Sequence, residues 1–269
     1  MNPLKILVMT DLHLVEPGQT IIGIDPWARF DAALAHILAR QGDAERLIVM
    51  GDLVHKGQER LYRLLGERLR GFPMPVHLML GNHDSRVAFR AALPGQADDG
   101  RGFVQQVIDS GDERLILLDT LDEGLHRHWG LFDADRLDWF GRALDRAAGR
   151  RVSVFMHHHV FPTGYPGLDS IMLREADAFL NRCQGRVAHV FAGHVHRTIS
   201  ASARGIGLTT FKGTAHQSPL LFDSWDSSLS VDEPGAYGVI LYSPEAITAH
   251  SEDFALSAVP QGDASDRAT

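Results

Sequence analysis

Apolar residues along the chain fall into short unbroken runs, each closed by a side chain that can ligate a cation. Residues 47–50 (Leu-Ile-Val-Met) run straight into Gly51-Asp52. Residues 6–9 lead to Asp11-Leu12-His13, and residues 76–80 to Gly81-Asn82-His83-Asp84. Residues 152–156 lead to His157-His158-His159, and residues 187–192 to Gly193-His194-Val195-His196. Apolar runs of this length that stop at a turn predict short buried strands. Five such strands, ending in Asp, His or Asn, are expected to converge on one edge of a sheet. Asp52 would stand at the middle of that edge and bridge two metal ions.

Between the runs the apolar period changes to that of a helix. Asp25-Pro26 supplies an N-cap and a first-turn proline, and Trp27, Phe30, Leu34, Ile37 and Leu38 follow at helical spacing. Helices are also expected over residues 58–69, near 85–93, after Asp133, and from about Asp169 through Ile171, Ala176, Phe179, Leu180 and Cys183. Hairpins are expected from 103–108 with 114–119, from 199–203 with 207–211, and from 237–242 with 247–250. Strands alternate with helices early and pair locally late. The reading is an α/β mixed sandwich with helices on its outer faces. One domain is expected over residues 1–257, because the candidate ligands run from 11 to 196 without a linker. Residues 212–236 form an irregular excursion, open to contact with a second copy of the chain. Residues 258–269, small and polar, form a flexible tail.

Composition adds exclusions. The 269 residues are 44% hydrophobic and 22% charged, with a net charge of -8 and a pI near 6.0. That balance gives no basic footprint for nucleic acid or an acidic membrane. One cysteine rules out an internal disulfide and suits a reducing compartment. No run approaches the length of a membrane span, and the apolar N-terminal run is too short for a signal-peptide core. The expectation is a cytoplasmic protein. Fifteen histidines are the one oddity, and several cluster at the strand ends.

That clustering carries the chemistry. In an extended segment Asp11 and His13 face the same side and can reach one ion. Burying Asp11, Asp52 and several imidazoles together is costly without a compensating cation. Aspartate, asparagine and histidine donors bridged by one carboxylate suit Mn, Fe, Zn or Co. The absence of a cysteine among them disfavours a structural zinc.

Asp11-x-His13, Gly51-Asp52, Gly81-Asn82-His83-Asp84, His157 and Gly193-His194-x-His196 resemble the five blocks of the calcineurin-like metallophosphoesterases, across roughly residues 4–200. Met156-His-His-His159 and Gly213-Thr-Ala-His-Gln217 resemble the bacterial branch of cyclic-nucleotide phosphodiesterases and glycerophosphodiesterases. The resemblance implies a four-layer αββα sandwich of two mixed β-sheets flanked by helices. It implies that Asp11, His13, Asp52 and His196 hold one ion, and that Asp52, Asn82, His157 and His194 hold the other. It places His216, His158 and His159 at the substrate or behind the ligands. His159 stands where the branch usually has proline.

The mechanism so implied is in-line attack on a small phosphodiester by a hydroxide shared between ions about 3.5–4 Å apart. Catalysis falls to Asp52, Asn82 and His83, with His83 serving the leaving group or only orienting a ligand. Asp84 is expected to cap the next helix or orient a histidine. His216 is either a pocket residue or a surface histidine, and His126, His128 and Trp129 lie in a loop that could overhang the site. Residues 16–25 carry Ile21 and Ile22 where some glycerophosphodiesterases have aromatic residues, which tilts the reading to 3′,5′-cyclic nucleotides such as cAMP. The alternatives are a glycerophosphodiesterase, a broader diesterase or monoesterase, and a non-catalytic scaffold, which would be expected to have lost ligands. No nucleic-acid or membrane partner is expected.

Overall fold

The computed structural model describes residues 3–124 and 128–254. His126 and the tail 258–269 lie outside the described residues. Four of the predicted strands run β1 (Leu4–Met9), β2 (Arg46–Met50), β3 (Val76–Met79) and, further on, β6 (Arg151–Met156). Between them come α1 (Pro26–Arg40), α2 (Glu59–Leu69), α3 (Arg86–Ala92), the hairpin β4 (Gln106–Ser110) and β5 (Glu113–Leu117), and α4 (Ala134–Asp145). The chain continues through α5 (Pro166–Asp169), α6 (Ala176–Cys183), β7 (His189–Ala192), β8 (Ile199–Ala203), β9 (Ile206–Thr210), β10 (Ala236–Tyr242) and β11 (Ile247–Asp253).

The strands form two mixed sheets, as the family resemblance implies. The first has the order β11-β10-β1-β2-β3 and the second β4-β5-β6-β7-β9-β8. In the first, β1, β2 and β3 are parallel; in the second, β5, β6, β7 and β9 are parallel. The expectation of a single sheet edge is corrected here: β1, β2 and β3 end on one sheet, β6 and β7 on the other. An apolar run reads the same whichever sheet receives it, so the sequence pattern could not separate the two.

The alternation of side chains along each strand builds the layers. Ile6, Val8, Ile48, Met50 and Met79 of the first sheet meet Leu115, Leu117, Phe155 and Phe191 of the second. On the outer face of the first sheet, Leu7, Met9, Leu47 and Val49 pack under Phe30, Ile37, Leu61 and Phe89 of α1, α2 and α3. On the outer face of the second, Val154 and Met156 pack under Phe140, Leu144, Phe179 and Cys183 of α4 and α6. Central strands buried on both faces explain runs that are apolar at every position rather than at every second one.

Two elements differ from expectation. The helix from Asp169 is absent: α5 is a single turn ending there, and α6 begins only at Ala176. The Asp169 carboxylate turns back to accept from the Thr163 N–H (2.7 Å), the Thr163 hydroxyl and the Gly164 N–H, while Leu173 bridges to Gly130. Strand β4 starts at Gln106 rather than 103, because side chains take the preceding backbone donors. Phe103 N–H donates to Asp99 and Val104 N–H to Asp119. Residues 212–235 hold no helix or strand beyond the isolated Gln217–Val231 bridge.

Candidate metal centre

Every predicted donor follows the carboxyl end of a parallel strand, where an α/β sheet opens its crevice. Asp11 and His13 follow β1, Asp52 follows β2, Asn82 follows β3, His157 follows β6, and His194 and His196 follow β7. The backbone must turn sharply to aim them. Asp11, His13, Asp52, His194 and His196 all have positive φ, between 44° and 69°. Glycine makes room: a Cβ at Gly81 would collide with Asp52 Oδ1.

Asp52 sits between the two sheets' contributions. Its Oδ2 is 3.5 Å from His13 Nε2 and 3.4 Å from His157 Nε2. Asp11 Oδ1 is 3.3 Å from His196 Nε2. His13 Nε2 and His196 Nε2 stand 3.1 Å apart, and His157 Nε2 is 3.2 Å from Asn82 Oδ1. His194 is grouped with His157 and His158, with ligand atoms within 4.8 Å of one another.

The remaining atoms of these side chains are tied down, which fixes what points inward. His157 Nδ1 donates to Met50 O at 2.9 Å and His196 Nδ1 to His216 O at 2.8 Å, so each Nε2 turns to the centre. Asp11 Oδ2 accepts from the Thr10 hydroxyl and the His194 N–H, and Asp52 Oδ1 from the His83 N–H. Asp11 Oδ1 and His194 Nε2 are buried and make no hydrogen bond within the protein. Two buried carboxylates, an amide oxygen and four imidazoles, with lone pairs converging and two donor atoms orphaned, fit divalent cations.

The protonation pattern agrees. Burial would raise Asp52, but His157, His83 and His13 outweigh it and hold its carboxyl well below the usual range. Burial likewise opposes His157, yet the Asp52 charge pushes its imidazole up to about 9. Asp11 raises His196 in the same way against burial. Burial drives His13 and His194 far down, leaving neutral donors.

The other predicted residues separate into two groups. His83, His128 and His216 border an open cleft of about 300 Å³ above the donors. His216 is 7% exposed, with its ring 4.5 Å from that of His196, and burial followed by His196 lowers it to about 3. His158 and His159 stand behind the donors, both fully buried and neither bordering the cleft. His158 Nδ1 is 2.7 Å from the Thr120 hydroxyl, and His159 Nε2 is 3.7 Å from Asp169. Of the two places expected of them, at the substrate or behind the ligands, they occupy the second. Trp129 donates from Nε1 to Asp122, with Arg174 over its ring at 3.7 Å.

Asp84 does neither of the things expected of it. Ser85 caps α3. The Asp84 carboxylate accepts from the Leu53, Val54 and Gly81 N–H groups and from the Tyr62 hydroxyl, clamping the Asp52 loop to the Asn82 loop. Burial and then Asp52 raise it to about 7. His55 was missed altogether. It stacks on His83 at 5.0 Å and brings Nδ1 to 3.3 Å from His13 Nδ1. Its signal was available, a histidine three residues beyond Asp52 in the same loop.

Comparison with known proteins agrees with this geometry. The profile of the calcineurin-like phosphoesterase family matches residues 4–198. A protein of Rhodopseudomonas palustris named as a probable cyclic nucleotide phosphodiesterase is 36% identical over 255 residues, 93% of each chain. The 3′,5′-cyclic adenosine monophosphate phosphodiesterase of Escherichia coli K12 is 28% identical over 217 residues, 79% of this chain and 77% of that one. Among solved structures, a dimetal phosphatase from Danio rerio superposes with a TM-score of 0.70 at 15% identity, over 94% of this chain and 97% of that one, a likeness of fold. With its five donor blocks gathered between two helix-flanked sheets, the chain belongs to the calcineurin-like phosphoesterase family of metal-dependent hydrolases.

Proposed function

We propose that the protein is a dimetal phosphodiesterase of small diesters, with 3′,5′-cyclic nucleotides such as cAMP as its substrates. The observation that supports a diester is the lining of the cleft: among the described residues no lysine or arginine borders it. A monoester dianion calls for such cations beside the metals, whereas a diester carries a single charge. The likeness to a protein named as a probable cyclic nucleotide phosphodiesterase, 36% identical over 93% of each chain, supports the nucleotide.

Asp11, His13, Asp52 and His196 would hold one ion, and Asp52, Asn82, His157 and His194 the other, drawn from Mn, Fe, Zn or Co. When bound, the ions supply Lewis acidity and lower the pKa of water, so that hydrolysis proceeds at neutral pH. Asp52 and Asn82 would hold the ion that receives the phosphoryl group, and so would set where that group lies. His83 Nδ1 lies 2.9 Å from the His55 carbonyl and donates to it, which presents Nε2 to the cleft. As the imidazolium, with a proton on each nitrogen, His83 gives the Nε2 proton to the departing alkoxide and is left as the neutral Nδ1–H form. His216, neutral at pH 7, serves as a hydrogen-bonding wall. Among the described residues no helix is long and apolar enough to cross a membrane, and the single cysteine is buried and unpaired; we place the protein in the cytoplasm.

The test compares hydrolysis of a bis-aryl phosphate with that of the matching mono-aryl phosphate by manganese-loaded protein, followed by a cyclic-nucleotide panel. Diester turnover well above monoester turnover is expected, with cAMP among the substrates. Preference for the monoester would move the protein to the phosphatases of the family. Diester turnover that passes over every cyclic nucleotide in favour of glycerophosphodiesters would replace the substrate.

A further inference from the structure

Residues 21–24 form a two-residue hairpin turn. Ile21 N–H donates to Ile24 O at 2.9 Å, and Ile24 N–H to Ile21 O at 2.8 Å. Both central residues are left-handed, Ile22 at φ 47° and Gly23 at 86°. Positive φ at both centres is the mark of a type I′ turn, whose favoured pairs are Asn-Gly, Asp-Gly and Gly-Gly. Gly23 fits that requirement and Ile22 violates it, because a β-branched side chain is crowded in the left-handed region. The same backbone joins β8 to β9 through Arg204-Gly205, φ 54° and 78°, with an unbranched side chain at the first position.

The strain is not repaid by burial. Ile22 is 52% exposed and belongs to no core cluster. It borders the cleft above the metal donors, together with Ile21, Leu168, Ile171 and Leu229. Of the eight described non-glycine residues with positive φ, five are candidate metal donors, and Ile22 is a sixth beside the same cleft. Strained backbone gathers where a side chain must be held in place for a ligand.

We propose that Ile22 is a specificity residue: with Leu168, Ile171 and Leu229 it holds the planar base of the cyclic nucleotide whose phosphodiester lies over the metal donors. This rests on the cyclic-nucleotide reading above. A heteroaromatic base presents apolar faces and a polar edge. The four aliphatic side chains supply cover for the faces, and the hydroxyls of Ser227, Ser228 and Ser230 along the same cleft supply partners for the edge. A glycerol arm offers nothing flat for such a wall to cover.

The test uses Ile22→Asn, which converts the turn to the favoured Asn-Gly pair, and Ile22→Leu, which restores apolar reach. Two quantities are read on manganese-loaded protein. The first is the ratio of kcat/KM for cAMP to kcat/KM for glycerophosphoethanolamine; the second is the Kd of 5′-AMP by calorimetry. Ile22→Asn should lower the ratio about tenfold, through KM, and weaken 5′-AMP by a similar factor, as loss of one apolar contact of this size implies. Its Tm should rise, and Ile22→Leu should recover most of the ratio. An unchanged ratio in a protein that hydrolyses cAMP overturns the assignment of Ile22 and leaves the cyclic-nucleotide reading standing. A wild-type protein inactive on cAMP overturns that reading, and the 5′-AMP affinities then decide on Ile22 alone: equal values reject the base contact. A fall in Tm on Ile22→Asn assigns Ile22 a structural role instead.

Discussion

The two sheets contribute unlike halves of one site. The first gives both carboxylates and the amide, Asp11, Asp52 and Asn82, with a single imidazole, His13. The second gives imidazoles only, His157, His194 and His196. Across the seam the carboxylates raise His157 to about 9 and lift His196 as well, against burial in both cases. Without a cation, protons are drawn to the second half to answer the charge of the first. Donors of both halves meet across the seam, Asp52 with His157 and Asp11 with His196, and positive charge placed there, proton or metal, ties the sheets together. Metal uptake therefore releases protons and is linked to sheet packing.

The largest effect should come from removing the group that faces both halves. On the proposed dimetal reading, Asp52→Ala is expected to lower kcat/KM by about 10³-fold or more, since metal ions of this kind supply several kcal/mol of transition-state stabilisation. Elemental analysis should find fewer than two ions per chain. Retention of both would show that the seam does not depend on its central carboxylate.

One histidine from each half sharpens the contrast. His83→Ala, on the carboxylate side, should reduce kcat roughly 10²-fold or more while both ions remain. His216→Ala, on the imidazole side, should act mainly on KM. Loss of metal from the His83 variant would instead make its role structural, through the hydrogen bond from its backbone neighbourhood to Asp52.

Chelation tests the linkage itself. An ion pair bound at a thousandfold above its Kd adds about 4 kcal/mol to the folded state. Stripping the metals should therefore lower Tm by about 10 °C for a chain of this size. A Tm indifferent to chelator would mean the two halves are held by packing alone.

The smallest effect concerns a histidine that only resembles the others. His189 lies on β7 itself, with Nε2 2.9 Å from the Thr209 hydroxyl, and burial lowers it to about 4. The unfolded chain binds this proton below about pH 6.5 and the folded chain only near pH 4. Its contribution to stability is thus complete above pH 6.5 and lost as pH falls towards 4. His189→Gln should flatten the change in urea stability between pH 7.5 and 4.5 by about 1–2 kcal/mol. An unchanged slope would remove His189 from the acid response.

What the sequence made legible follows from what is local. Strands buried on both faces leave apolar runs, and Asp, Asn and His stand at the ends of those runs, so β1, β2, β3, β6 and β7 could be read, together with the seven candidate donors that the structure gathers at their ends. The allocation of those strands to two sheets could not, because it depends on pairing partners far away. Asp84 was illegible for a similar reason: its four donors come from three separate stretches, at 53–54, 62 and 81. The break between α5 and α6 was decided by one carboxylate choosing Thr163 and Gly164 over the following turn. His158 and His159 share a motif with His157, and only the placement of Thr120 and Asp169 beside them, far away in sequence, separates them from the residues that border the cleft.

The pairing of β1 has a consequence for how the protein is made. Leu4 is opposite Tyr242, and the Thr10 carbonyl accepts from the Thr214 N–H. β1 thus waits for a strand far along the chain, with two aspartates at its end and at the end of its neighbour β2 destined for burial. Contacts of such sequence separation slow folding and prolong exposure of unpaired strand edges. A chain cut short before β10 keeps the pairing of β1 with β2 but leaves the other edge of β1 open.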